Sequence, residues 1–77
     1  MIIKVLGEGC DKCRQLYENT QAAVAQLGLD AQVEKVEDLM EIVKLGVMTA
    51  PSLLVDGKLV VSGHAASTKS IVKLLGE

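Results

Sequence analysis

Ile2-Ile3-Lys4-Val5-Leu6-Gly7-Glu8-Gly9-Cys10-Asp11-Lys12-Cys13 places an apolar run, a glycine turn and a Cys-x-x-Cys pair directly ahead of a helical pattern. The run is apolar with almost no alternation, as in a strand covered on both faces. Lys4 is its exception, a residue whose stem packs while its ammonium reaches water at the edge of the layer. Gly7 and Gly9 let the backbone come close to whatever the cysteines face. Both cysteines of the chain are spent in this motif. Two chemistries fit it: a dithiol that cycles with a disulfide, or a pair of thiolate ligands for a soft metal ion such as Cu(I) or Zn(II).

Outward from the motif, Asp11 to Leu27 reads as a helix. Cys13, Leu16, Tyr17, Thr20, Val24 and Leu27 recur at intervals of three and four, one stripe that buries against a sheet. Arg14, Gln15, Glu18, Gln21 and Gln26 fall mostly off it, and Gly28 is a helix C-terminal signal. This phase puts Cys13 on the buried stripe and Cys10 at or before the first turn, facing solvent. Leu29, Ala31 and Val33 alternate with Asp30, Gln32 and Glu34, a strand with one face better buried than the other.

Asp38-Leu39-Met40-Glu41 has capping-box spacing and opens a short helix through Leu45, with Leu39, Ile42 and Val43 as its apolar side and Gly46 at its end. The only proline, Pro51, precedes an apolar strand. Ser52 to Val55, Asp56-Gly57, then Lys58 to Val61 form a hairpin signal, because Asp-Gly suits the turn that matches strand twist. Gly63-His64-Ala65-Ala66 makes a loop. Ser67 caps a last helix whose apolar residues are Ile71, Val72, Leu74 and Leu75, ending at Gly76.

At 77 residues the chain is read as one domain over 1–77, near the lower size limit for folding without a structural metal or several disulfides. Apolar residues make up 49% with almost no aromatics, so Val, Leu, Ile, Ala and Met must build the core. The formal charge of -2 is mixed along the sequence. With no Lys/Arg cluster and no aromatic platform, nucleic acid is not the expected partner. The interrupted N-terminal run is too short for a signal peptide, and a membrane span needs roughly 20 apolar residues. The expectation is a cytoplasmic monomer, off the membrane, where reducing conditions favour a catalytic or metal-binding cysteine pair over a structural staple.

The order is strand, helix, strand, helix, hairpin, helix. It predicts an α/β fold with a four-stranded mixed sheet of order 2-1-3-4, first strand central and helices on both faces. A βαβαββα order, Cys10-Asp11-Lys12-Cys13 opening the first helix and Thr49-Ala50-Pro51 before the third strand together resemble the thioredoxin fold. The size, and the lack of an extra N-terminal strand and helix, resemble its small, glutaredoxin-like members. The nearest likeness is to short prokaryotic redox-active disulfide proteins.

That resemblance implies a thiol–disulfide oxidoreductase acting on protein or small-molecule disulfides, with no cofactor and no bound metal, and served by an upstream thiol or flavoprotein reductase. It implies Cys10 as the exposed nucleophile and Cys13 as the buried resolving thiol. It also implies a cis bond between Ala50 and Pro51 beside the disulfide, so that the backbone of Thr49 and Ala50 meets an incoming substrate strand. There are departures. Gly9 stands where true thioredoxins have tryptophan, Asp11-Lys12 replaces their Gly-Pro interior, and the first strand carries no carboxylate. Gly63-His64-Ala65-Ala66 lacks the pattern with which glutaredoxins hold glutathione.

A helix N-terminus and Lys12 favour the Cys10 thiolate, while Glu8 and Asp11 oppose it. The expected Cys10 pKa lies below roughly 8.5 without being extreme. The alternative function is a soft-metal carrier using the same pair. Small metallochaperones share the motif's position, but their order is βαββαβ, ending in a strand. His64 reads as a solvent-facing loop residue, Tyr17 as core with its hydroxyl at an edge, and Met40 and Met48 as packing.

Overall fold

The computed structural model describes residues 1–7, 11–47 and 50–76. The elements are β1 (Ile2–Leu6), α1 (Asp11–Leu27), β2 (Gln32–Val36), α2 (Leu39–Lys44), β3 (Ser52–Val55), β4 (Lys58–Ser62) and α3 (Thr68–Gly76). One four-stranded sheet has the order β2-β1-β3-β4, as the sequence predicts. β1 pairs parallel with β2 and antiparallel with β3, and β3 pairs antiparallel with β4. The hairpin of β3 and β4 is followed by a helix, an element order that differs from the metallochaperone βαββαβ.

Alternation along β1 divides the core in two. Ile3 and Val5 join Leu53 and Val61 beneath Leu16 and Ala23 of α1 and Ile71 of α3. Leu6 and Leu54 point the other way, where Ile42 of α2 and Val47 meet them. Full burial of a side chain of this size contributes about 1.5–3 kcal/mol, so the first cluster, with eight buried members against four in the second among the described residues, contributes the larger share of the apolar burial.

The second face is covered at one end only. A six-residue helix is about 9 Å long, roughly half the length of a five-residue strand. Leu6 is therefore buried, but Ile2 is 47% exposed and Lys4 only half-buried, so the expected covering of β1 on both faces is corrected. The expected apolar side of α2 is corrected too. Ile42 alone is buried, while Leu39, Val43 and Met40 face solvent, so Met40 does not pack. Leu74 of α3 is also exposed. On α1, Ala23 is fully buried while Val24 and Leu27 are only partly so, because the stripe turns toward α3.

β2 starts later than the alternation predicts. Gly28, at φ +64°, donates to Ala25 O while Leu29 N donates to Val24 O, a Schellman closure of α1 that takes Leu29 out of any strand. Pairing begins where Gln32 N reaches Met1 O. The same closure ends α2. Gly46 at φ +78° donates to Val43 O, and Val47 N donates to Ile42 O, bringing two buried apolar residues together. At the start of α2, Asp38 Oδ1 accepts from Met40 N at 2.9 Å.

The Asp56–Gly57 turn has φ of +50° and +85°, the signs of a type I′ hairpin. Asp56 also holds the end of β1, since its Oδ1 accepts from Ile2 N and its own N donates to Ile2 O. A register shift opposite Leu53/Leu54 carries Val61 to the α1 side and Leu59 to the other. Ser67 caps α3 as predicted, its Oγ accepting from Ser70 N at 3.2 Å. No described helix is long and apolar enough to cross a membrane.

Candidate active site

The site forms where β1 ends, α1 begins and β3 begins. Residues 3 and 5 of β1 face α1, so Gly7 comes next on that side, directly under the first turn of the helix. Its N–H donates to Val36 O at 2.9 Å, which ties it to β2. Cys13 lies in that first turn and is 1% exposed. A Cβ built on Gly7 overlaps Cys13 Sγ, stands 2.9 Å from Cys13 Cβ and lies 3.9 Å from Pro51 Cα. The space beside Gly7 is thus filled by the Cys13 side chain and bordered by the Pro51 backbone.

Cys13 is disulfide-bonded. Its burial follows from the helical phase that carries Leu16 and Thr20 inward below it, both with no exposed surface. The Thr20 hydroxyl donates to Leu16 O at 2.7 Å, so this polar residue is satisfied within the helix. Asp11 and Lys12, the interior of the motif, are both exposed.

The peptide bond between Ala50 and Pro51 is cis. Pro51 is fully buried and Ala50 exposed, so the chain emerges at the surface immediately before β3. Ser52, paired with Leu6, is buried with no exposed surface. Cys10 and Thr49 lie outside the described residues, as do Glu8, Gly9 and Met48. Of the five residues proposed from sequence, the structure therefore locates Cys13, Ala50 and Pro51, and brings Cys13 and Pro51 together across Gly7.

Two neighbours escaped the sequence reading. Gly63 donates its N–H to Pro51 O at 2.9 Å, fastening the β4–α3 loop beside the proline. Asn19 Nδ2 donates to Ala66 O at 3.0 Å, joining α1 to the same loop. Neither has a sequence signal, because each bond links residues brought together only by the sheet and the α1–α3 packing. His64 is exposed, its Nδ1 3.2 Å from Ser62 O, in the solvent-facing position expected. Tyr17 is partly buried; its hydroxyl accepts from Gln21 Nε2 at 3.1 Å, and Lys35 Nζ lies 5.5 Å from the ring centroid.

The comparisons with known proteins agree with this arrangement. A family model described as a thioredoxin domain matches residues 1–76. A curated thioredoxin of Methanothermobacter thermautotrophicus is 40% identical over 75 residues, 97% of this chain and 97% of that protein. A curated thioredoxin of Methanocaldococcus jannaschii is 39% identical over 71 residues, 92% of this chain and 81% of that protein.

Proposed function

The chain belongs to the thioredoxin domain family, whose chemistry is thiol–disulfide exchange, and we propose that it reduces protein disulfides through a Cys10–Cys13 couple. The observation that carries this reading is the buried, disulfide-bonded Cys13 packed against Gly7 and beside Pro51 at the start of α1. A cysteine with 1% exposure keeps its sulfur out of reach of a protein substrate, while three residues of separation suit it to attack Cys10.

In the proposed cycle the Cys10 thiolate attacks a substrate disulfide, forming a mixed disulfide and releasing one substrate thiol. Cys13 then attacks Cys10 Sγ, giving the Cys10–Cys13 disulfide and the second substrate thiol. Two electrons and two protons pass to the substrate. In this reading Cys10 stands in sequence immediately ahead of Asp11, the first residue of α1, where unpaired helix N–H groups and the helix dipole favour a thiolate. The exposed Ala50, with Thr49 before it, offers backbone to the substrate strand.

A thiol or flavoprotein reductase regenerates the dithiol. The protein works in this reading as a cytoplasmic monomer. The test is Cys13→Ser incubated with a protein disulfide substrate. A mixed disulfide on Cys10 should accumulate, with turnover lost. Turnover that survives, or turnover lost with no trapped species, would refute these roles.

A further inference from the structure

We propose that Gly7 is a positioning residue of the redox pair, and that its missing side chain holds the Cys10–Cys13 couple toward the disulfide. The inference rests on the redox reading above. In the disulfide-bonded state the Cys13 sulfur fills the volume a Cβ at position 7 would take, and the Cys13 Cβ is only 2.9 Å from it. Neither partner can retreat. The Gly7 N–H is bonded to Val36 O, and α1 is seated by Leu16, Thr20 and Ala23, all without exposed surface.

Gly7 differs in kind from three other glycines of the described loops. Gly28, Gly46 and Gly57 have φ between +64° and +85° with nothing within 4 Å of an added Cβ. They are glycine for backbone conformation. Gly7 has no left-handed φ, so its backbone accepts an L side chain, and among the described residues only Cys13 stands too close to one.

A methyl group at position 7 acts unequally on the two redox forms. In the disulfide, Cys13 Sγ is fixed both by the helix and by its bond to the second sulfur. In the dithiol it rotates among staggered χ1 positions and can turn away. Crowding therefore penalises the oxidised form more. The exchange with glutathione reads: protein disulfide plus two glutathione thiols gives protein dithiol plus glutathione disulfide, with two electrons and two protons moving to the protein.

The experiment equilibrates the wild-type chain, Gly7→Ala and Gly28→Ala in graded glutathione/glutathione disulfide buffers, and reads the dithiol fraction by alkylation and mass. Gly7→Ala should shift the equilibrium toward the dithiol at least about tenfold, about 30 mV for a two-electron couple. Gly28→Ala should lose stability through its φ while keeping the wild-type potential. An unchanged potential in Gly7→Ala, a shift toward the disulfide, or an equal shift in Gly28→Ala would overturn the proposal. If oxidised Gly7→Ala does not fold, the same change in a Cys13→Gly background decides: recovery of the fold supports the contact with the Cys13 side chain, and failure there refutes it. A wild-type chain that forms no intramolecular disulfide in any buffer refutes the redox reading itself, and this inference with it, before any variant is compared.

Discussion

The two faces of the sheet both carry apolar side chains and end up unlike. On the α1/α3 side, Ile3, Val5, Leu16, Leu53 and Ile71 have at most 1% of their surface exposed. On the α2 side, apolar burial among the described residues is confined to Leu6, Ile42, Val47 and Leu54, and Ile2, Leu39, Met40, Val43 and Leu59 are all more than 40% exposed. The closed face is spanned by a 17-residue helix and a nine-residue one; the open face has six residues of helix. Hydrophobicity supplies the tendency to bury, but the length of the covering element sets how much is buried. The candidate site sits at the end of the sheet where both faces are covered, so Gly7 and Pro51 are held from above and below.

Leu16→Ala should have the largest effect, since it opens a cavity with no solvent path. A loss of about 3 kcal/mol in denaturant unfolding, with unchanged slope, is expected. Ile42→Ala, at 4% exposure on the inner side of the short α2, should cost about 2 kcal/mol. If Ile42→Ala costs as much as Leu16→Ala, the two faces are energetically alike and the contrast fails.

Asp38→Ala removes the oxygen that accepts from Met40 N and should cost about 1 kcal/mol. Because α2 is the sole helical cover of its face among the described residues, part of that loss should appear as faster amide exchange at Ile42 and Val47 than at Leu16. Uniform acceleration would mean that α2 does not open separately. Smallest of all, Leu39→Gln and Val43→Ser should change stability by no more than about 0.5 kcal/mol, because both side chains already meet water. A loss near 2 kcal/mol in either would show that this surface is covered in solution.

The strand order, the span of α1, the caps at Asp38 and Ser67 and the Asp56–Gly57 turn were legible because each depends on residues close in sequence. Cys13 was placed correctly for the same reason: a 3.6-residue period fixes its side once the helix is known. The start of β2 was misread because alternation at Leu29 and Ala31 looks identical whether those residues pair or close a helix. The outward turn of Leu39 and Val43 was misread because apolar spacing says which residues share a stripe, not whether anything lies opposite. The bonds from Asn19 and Gly63 were out of reach, each joining loops to partners distant in the chain.

The sequence by itself determined the element order, the Cys-x-x-Cys at the mouth of a helix and the proline ahead of a strand, because local propensity and short periodicities encode them. Only the tertiary structure decided that Gly7 is the contact between that helix and that strand. It did so because the alternation of β1, the phase of α1 and the entry of β3 must meet at one point before the missing Cβ of Gly7 becomes the space that Cys13 occupies.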